Sequence, residues 1–326
     1  MTKNKNKKVT MTKNKNKKGA LEFSFSWIFA IIVGAFILFM AIFAIIKLIP
    51  LFNQGQDAET ATAIGILLNP LESGFESATK SLIRTQVETR IYGDCIESTP
   101  SEYFGKQTIQ ISEKTYNKWS YTGMDIAIQN KYLFSEDYVE GKNFYIYSKS
   151  FDFPFKIADL LYLTSNSSSY CFIDAPERIK DEMKDSLNAP NVFFEVCPEE
   201  SIRVCFSTGT NCDVVVRENQ KSVRKNGEIV YYEGDALMYA AIFSSKKIYE
   251  CQLTRLMKRA EQLSLIYKEK SDFLSQKVGC SSGITTNLIL LRQGERNLES
   301  SSDLFSLVNE VEILEIKNSN EECRLW

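Results

Sequence analysis

Phe23–Ile46 reads FSFSWIFAIIVGAFILFMAIFAII, 24 residues with no charge and with two serines as the only polar side chains. Glu22 and Lys47 bound it. As a helix it rises roughly 36 Å, enough to cross a hydrocarbon core of about 30 Å with some tilt. The span, residues 23–52 with its exit, is expected to hold the protein through membrane lipid. Residues 1–22 carry Lys3, Lys5, Lys7, Lys8, Lys13, Lys15, Lys17 and Lys18 against one acid, Glu22. Lysines massed beside a single span place that arm in the cytoplasm, and everything after about Lys47 outside the cell. The octapeptide MTKNKNKK occurs at 1–8 and again at 11–18, a local duplication that also offers a second start at Met11. The apolar run is longer than the core of a cleaved secretory signal, and the exit KLIPLFNQGQ has no small-residue cleavage site. It reads as an uncleaved anchor.

About 275 of the 326 residues remain beyond the span, enough for one large or two small domains with a real core. The chain has 39 basic and 41 acidic residues, and residues 1–22 take eight of the basic ones and one acid. The remainder therefore holds 31 basic and 40 acidic residues, a balance of −9. An acidic outer domain argues against nucleic acid as a partner, because phosphates need a basic face. Histidine is absent, which removes Ser-His-Asp and Cys-His catalysis and every imidazole metal site. The eight cysteines, Cys95, Cys171, Cys197, Cys205, Cys212, Cys251, Cys280 and Cys323, all lie beyond the span. An even number on the outer side reads as disulfides. Zinc is disfavoured, since no C-x-x-C pair exists and no histidine completes a site. Eight cysteines permit 105 connectivities. Two local pairings suggest themselves: Cys205–Cys212 across a hairpin of IRVCF and CDVVV, and Cys251–Cys280 tying a late helix to the segment after it.

Beyond Pro50 the polar NQGQD makes a short exit, and Asn69-Pro70-Leu71-Glu72 reads as a helix start. Ile64, Leu68, Leu71, Phe75, Ala78 and Leu82 form one helical stripe, predicting a helix to about Arg90 and a helical stalk over 53–94. Residues 95–234 are mainly β. QTIQIS, MDIAIQN, NFYIYS, NVFFEV, SIRVCF, DVVVR and EIVYYE read as strands, and Asn226-Gly227 is the strongest hairpin signal. A short helix is expected from Asp174 to Leu187. Residues 235–326 turn helical again, with a heptad-spaced helix from about Asp235 to Lys277 that Gly279 stops. Its Lys246, Lys247, Arg255, Lys258, Arg259, Lys268 and Lys270 could make a basic binding face, but Glu250, Glu261 and Glu269 interleave with them, so they read as a solvated helix surface. The segment 285–293 reads equally as strand or helix, and a last helix covers Asp303 to about Glu315. The expected class is α+β, a disulfide-bonded extracytoplasmic domain of antiparallel strands with the late helix packed on the stalk.

Chemistry is sparse. There is no phosphate loop, dinucleotide fingerprint, EF-hand loop or G-x-S-x-G elbow. The acid pairs Glu136-Asp137, Glu199-Glu200 and Glu321-Glu322 read as solvated surface, and Ser244-Ser245-Lys246-Lys247 as a chance likeness to a Ser-Lys dyad. Tyr145, Tyr147, Phe151, Phe153 and Phe155 are either the buried face of a strand or the lining of a ligand surface. Asn166-Ser167-Ser168 is an acceptor sequon for a glycan. No catalytic residue, metal or cofactor is expected.

Lys17-Lys18-Gly19-Ala20-Leu21-Glu22-Phe23 resembles the class III processing site of archaeal type IV pilin-like proteins. The resemblance implies a cut between Gly19 and Ala20 and a retained apolar helix; homo-oligomers through the span and stalk are the matching expectation, the stalk stripe being either a coiled-coil seam or a face packed on its own domain. Glu22 would be the third residue of the cut chain, whereas bacterial type IV pilins carry glutamate at the fifth. More widely, GALEFSFSWIFAIIVGAFIL, YCFIDAP, VCF, ALMYAAIFS, IYEC and the final Cys-Arg-Leu-Trp resemble a family of single-span proteins from small-genome, DPANN-type archaea. That likeness implies architecture rather than activity. The sequence therefore leads to a single-pass surface protein with a structural or interaction role, with a binding module for a solute, glycan or partner as the alternative and an enzyme last.

Overall fold

In the computed structural model the described residues are 27–45 and 79–326, except 100, 101, 121, 123, 124, 129, 208–210, 281, 282, 321 and 322. The processing site at Gly19 and Ala20, the basic arm, Glu321-Glu322 and residues 53–78 of the expected stalk lie outside them. The chain divides into two units, 1–51 and 52–326.

In the first unit α1, Trp27–Ile45, is a 19-residue helix of mean hydropathy 3.0, long and apolar enough to cross a membrane. Every position on it is exposed.

The second unit is α+β, with two mixed sheets. The first contains β1 (Thr79–Ile96), β2 (Lys106–Thr115), β3 (Lys118–Trp119), β4 (Ile126–Ile128), β5 (Tyr132–Phe134), β6 (Tyr138–Asp152) and β7 (Lys156–Ser165). Its order is β3-β2-β1-β6-β7-β5, with β4 also on β2. All its pairings are antiparallel except β5 with β7. Along β6, Tyr147 and Phe151 enter the main core while Phe144 and Ile146 enter a smaller cluster on the other face. Tyr162 and Leu160 of β7 divide from Leu161 and Leu163 in the same way, as a period of two requires.

The second sheet runs β13-β12-β11-β10-β8-β9. Its strands are β8 (Tyr170–Ile173), β9 (Val192–Phe194), β10 (Ile202–Cys205), β11 (Val214–Arg217), β12 (Ser222–Lys225) and β13 (Glu228–Tyr231). The Asn226-Gly227 hairpin forms as expected between β12 and β13, with both turn residues at positive φ. After β8 the short helix α2 (Glu177–Asp181) continues as a π turn to Ser186.

Helix α3 (Gly234–Phe243) touches β6 and β7 of one sheet and β12 of the other. It is buried from Ala236 to Phe243 without a break, the pattern of a helix that is apolar all round. The Tyr162 hydroxyl donates to the Ala236 carbonyl at 2.8 Å. Then come α4 (Lys246–Phe273), α5 (Thr285–Asn297) and α6 (Leu304–Asn320). Gly279 in the left-handed region (φ 73°) closes the π turn at the end of α4.

Four expectations are corrected. The predicted helix ends in strand, since 79–96 is β1. Ile83, Val87, Thr89, Ile91 and Cys95 fall on one parity with Thr79, Ser81 and Thr85, and this β-branched alternation outweighs a helical stripe whose last member, Leu82, stays 39% exposed. The late helix accordingly packs on β1 and the sheet, not on a helical stalk over those residues. It is also two helices: Ser244 is extended, and the Ser245 side chain caps α4 by accepting from the Ile248 N–H. The sheets are mixed rather than antiparallel, for β8, β9, β10 and β11 pair in parallel.

The cysteines form four disulfides and none is free: Cys95–Cys251, Cys171–Cys197, Cys205–Cys212 and Cys280–Cys323. The Cys205–Cys212 pairing is as expected, although it spans a loop between parallel strands instead of a hairpin. The Cys251–Cys280 pairing is overturned, because Cys251 reaches back to β1 and Cys280 forward to the C-terminal segment.

Candidate functional site

Where α4 crosses the end of the first sheet, β2, β4 and the loop before β2 leave a cavity of about 500 Å³. That lies within the ordinary range for a small-molecule site. The Cys95–Cys251 bond pins α4 to β1 one helical turn before the cavity, so Arg255 and Arg259, at i+4 and i+8 from Cys251, are presented to it. Gly105 turns the loop at φ +61°; a Cβ there would run into the carbonyl oxygen of Ile96, so only glycine brings the chain this close.

Arg255 is 3% exposed. Its Nε donates to the Phe104 carbonyl at 3.0 Å, and its Nη1 to the Lys131 carbonyl at 3.2 Å and to Gln252 Oε1 at 2.6 Å. Its guanidinium lies 5.2 Å from the Tyr132 ring centroid. Burial lowers its pKa from the usual arginine value. Gln252 and Gln107 both donate to the Leu133 carbonyl, at 3.1 and 2.7 Å, tying helix and strand together behind the arginine. Arg259 lies one turn on, and its Nε is buried with no hydrogen-bond partner. Lys106 adds a third cation to the lining, against one acid, Glu102. Phe104, Ile128, Tyr132 and Leu263 give the cavity apolar wall.

Beside it runs a polar network between α4 and α5. Glu261, 1% exposed, accepts from the Tyr103 hydroxyl and lies 3.5 Å from Arg292 Nη2. Ser264 donates to Glu295 Oε2 at 2.7 Å, while Glu295 Oε1 and Arg292 Nε are buried without partners. Burial raises the Glu295 pKa to about 8, and Glu261 adds to the rise. Among the described residues the unpartnered buried side-chain atoms are those of Arg259, Arg292 and Glu295, on this one pair of helices.

The residues singled out from sequence do not gather here. Tyr147, Phe151, Phe153 and Phe155 are core and Tyr145 packs against it partly buried, so these aromatics are buried rather than the lining of a ligand surface. Glu136 pairs with Lys225, and Asp137 accepts from the Ser245 hydroxyl at 2.7 Å. Ser244 donates to the Ala240 carbonyl, Lys246 pairs with Glu228 and Lys247 with Asp94, so no Ser-Lys dyad forms. Glu199 and Glu200 are exposed beside Cys212. Asn166 is exposed on its loop, its Oδ1 accepting from the backbone of Asn143 at 3.0 Å. No group of metal-ligating side chains occurs among the described residues. Arg255 corrects the expectation of a solvated face: it is core. The available signal was a pair of arginines four apart on an otherwise heptad-spaced helix, which does not by itself say which face is buried.

No family model, curated protein or solved structure matches the chain.

Proposed function

We propose that this chain is a membrane-anchored interaction protein whose second unit stands outside the cytoplasm and binds a small solute. The observation that carries the binding is the cavity at the α4–sheet junction, walled by apolar side chains and three cations. The anchoring rests on α1 and on the lysines before it. Four disulfides support an oxidising, extracytoplasmic setting. The test is thermal unfolding of the full chain in lipid nanodiscs against amino acids, sugars and aromatic acids. At least one should raise the midpoint, and Ala127→Trp, which fills the cavity from β4, should abolish the rise. No rise with any class would overturn the reading.

A second reading is a pilin-like surface subunit, favoured by the exposure of α1 around its whole circumference, which suits packing against copies of itself. It requires the Gly19–Ala20 cut. N-terminal sequencing of native protein that starts at Met1 or Met11 would sink it.

A further inference from the structure

We infer that the solute is an organic oxyanion, a carboxylate or phosphate ester on a flat apolar body, seated with its anionic end between Arg255 and Arg259; this rests on the solute-binding reading above. Charge around the cavity is unbalanced. Elsewhere in the unit several half-buried cations have acids: Arg90 with Glu140, Lys149 with Glu182, Lys225 with Glu136, Arg292 with Glu261. Around the cavity they do not. Among the described residues no carboxylate pairs with Lys106, Arg255 or Arg259, although the outer part of the chain is acidic by nine charges overall. Like charges four apart on a helix repel, and a buried guanidinium without a counter-charge is costly. An oxyanion relieves both at once.

The hydrogen bonds say the same. Arg255 spends Nε and Nη1 on three protein acceptors, which lock the plane of its guanidinium and leave Nη2 without a protein acceptor. Arg259 keeps its fork unpaired, with a buried and unpartnered Nε. One locked guanidinium edge and a second, unpaired fork one turn along suit a carboxylate or phosphate better than a neutral polar group. The remainder of the wall sets the other half of the ligand. Phe104, Ile128, Tyr132 and Leu263 offer aromatic and aliphatic surface, where a bare inorganic ion would leave apolar wall uncovered.

Calorimetric titration of the full chain in lipid nanodiscs with phenylacetate, phenyl phosphate, phenylacetamide, phenethylamine and inorganic phosphate tests this. Phenylacetate or phenyl phosphate should bind at least tenfold more tightly than the neutral amide, and the better of the two identifies the headgroup. Arg259→Gln should cost that anion tenfold or more and leave the amide unchanged; Arg259 is partly exposed, so the variant should fold. Equal binding of amide or amine, or no effect of Arg259→Gln, overturns the oxyanion assignment while sparing the solute-binding reading. Inorganic phosphate binding as tightly as phenyl phosphate overturns the apolar body. Silence from all five overturns the oxyanion assignment, and the solute-binding reading then stands or falls on its own unfolding test with amino acids and sugars.

Discussion

The four disulfides close loops of very different length, and their removal should cost stability in that order. The paired cysteines are 156 residues apart for Cys95–Cys251, 43 for Cys280–Cys323, 26 for Cys171–Cys197 and 7 for Cys205–Cys212. A cross-link lowers the entropy of the unfolded chain by an amount that grows with the logarithm of the loop, giving about 5, 4, 3.5 and 2.5 kcal/mol respectively. Two of the short links lie inside the largest loop and shorten it, which changes the first figure by only about 0.2 kcal/mol. A loss of about 5 kcal/mol is comparable to the whole stability of many domains, so Cys95→Ala with Cys251→Ala should sit at the edge of folding. The assay is urea unfolding of the full chain in mild detergent, monitored by tryptophan fluorescence; Trp326 packs on Phe155 and Tyr267 and reports on the core of the second unit. Cys95→Ala alone breaks the same link and should match the double variant within about 1 kcal/mol, the packing cost of a small side chain. If Cys205→Ala with Cys212→Ala costs as much as the long-loop pair, loop entropy is not what these bonds contribute.

Glu295 makes stability depend on pH. Its folded pKa, about 8, stands above its ordinary 4.5, so the folded state holds the proton longer than the unfolded one. Stability should therefore be greatest below about pH 4.5 for this group and fall as pH rises towards 8, by an amount on the order of 4 kcal/mol. Glu295→Gln should flatten that fall, and an unchanged slope in denaturation curves from pH 5 to 8 would refute it. Gly294→Ala should destabilise by about 1–3 kcal/mol, although alanine favours helix, because its Cβ runs into Leu307 of α6; a gain in melting temperature would contradict the close approach. Ser245→Ala removes the cap of α4 and its hydrogen bond to Asp137 and should cost about 1–2 kcal/mol, with Ser245→Thr, which keeps the hydroxyl, restoring most of it in the same melt.

What the sequence made legible was local. Alternation located β2, β4, β6, β9, β10, β11 and β13, and Asn226-Gly227 located the tight turn into β13. Cys205–Cys212 was readable because seven residues leave little choice. The strand β7 was missed because KIADLLYLTS is buried on both faces and so has no alternation to read. The β1 error came from weighing an apolar stripe above a run of β-branched residues. Parallel pairing, the Cys95–Cys251 link and the cavity depend on segments far apart in the chain. Nothing around Arg255 announces that Phe104 and Lys131 will supply its acceptors.

From Ala236 to Phe243 helix α3 has no side that meets water. Its amide protons, shut between two sheets, have no local route to solvent, so they should exchange only when the whole unit opens. Those eight residues then form an internal clock: the slowest deuterium uptake in the molecule would report the global opening free energy directly, in detergent or in lipid, without any denaturant.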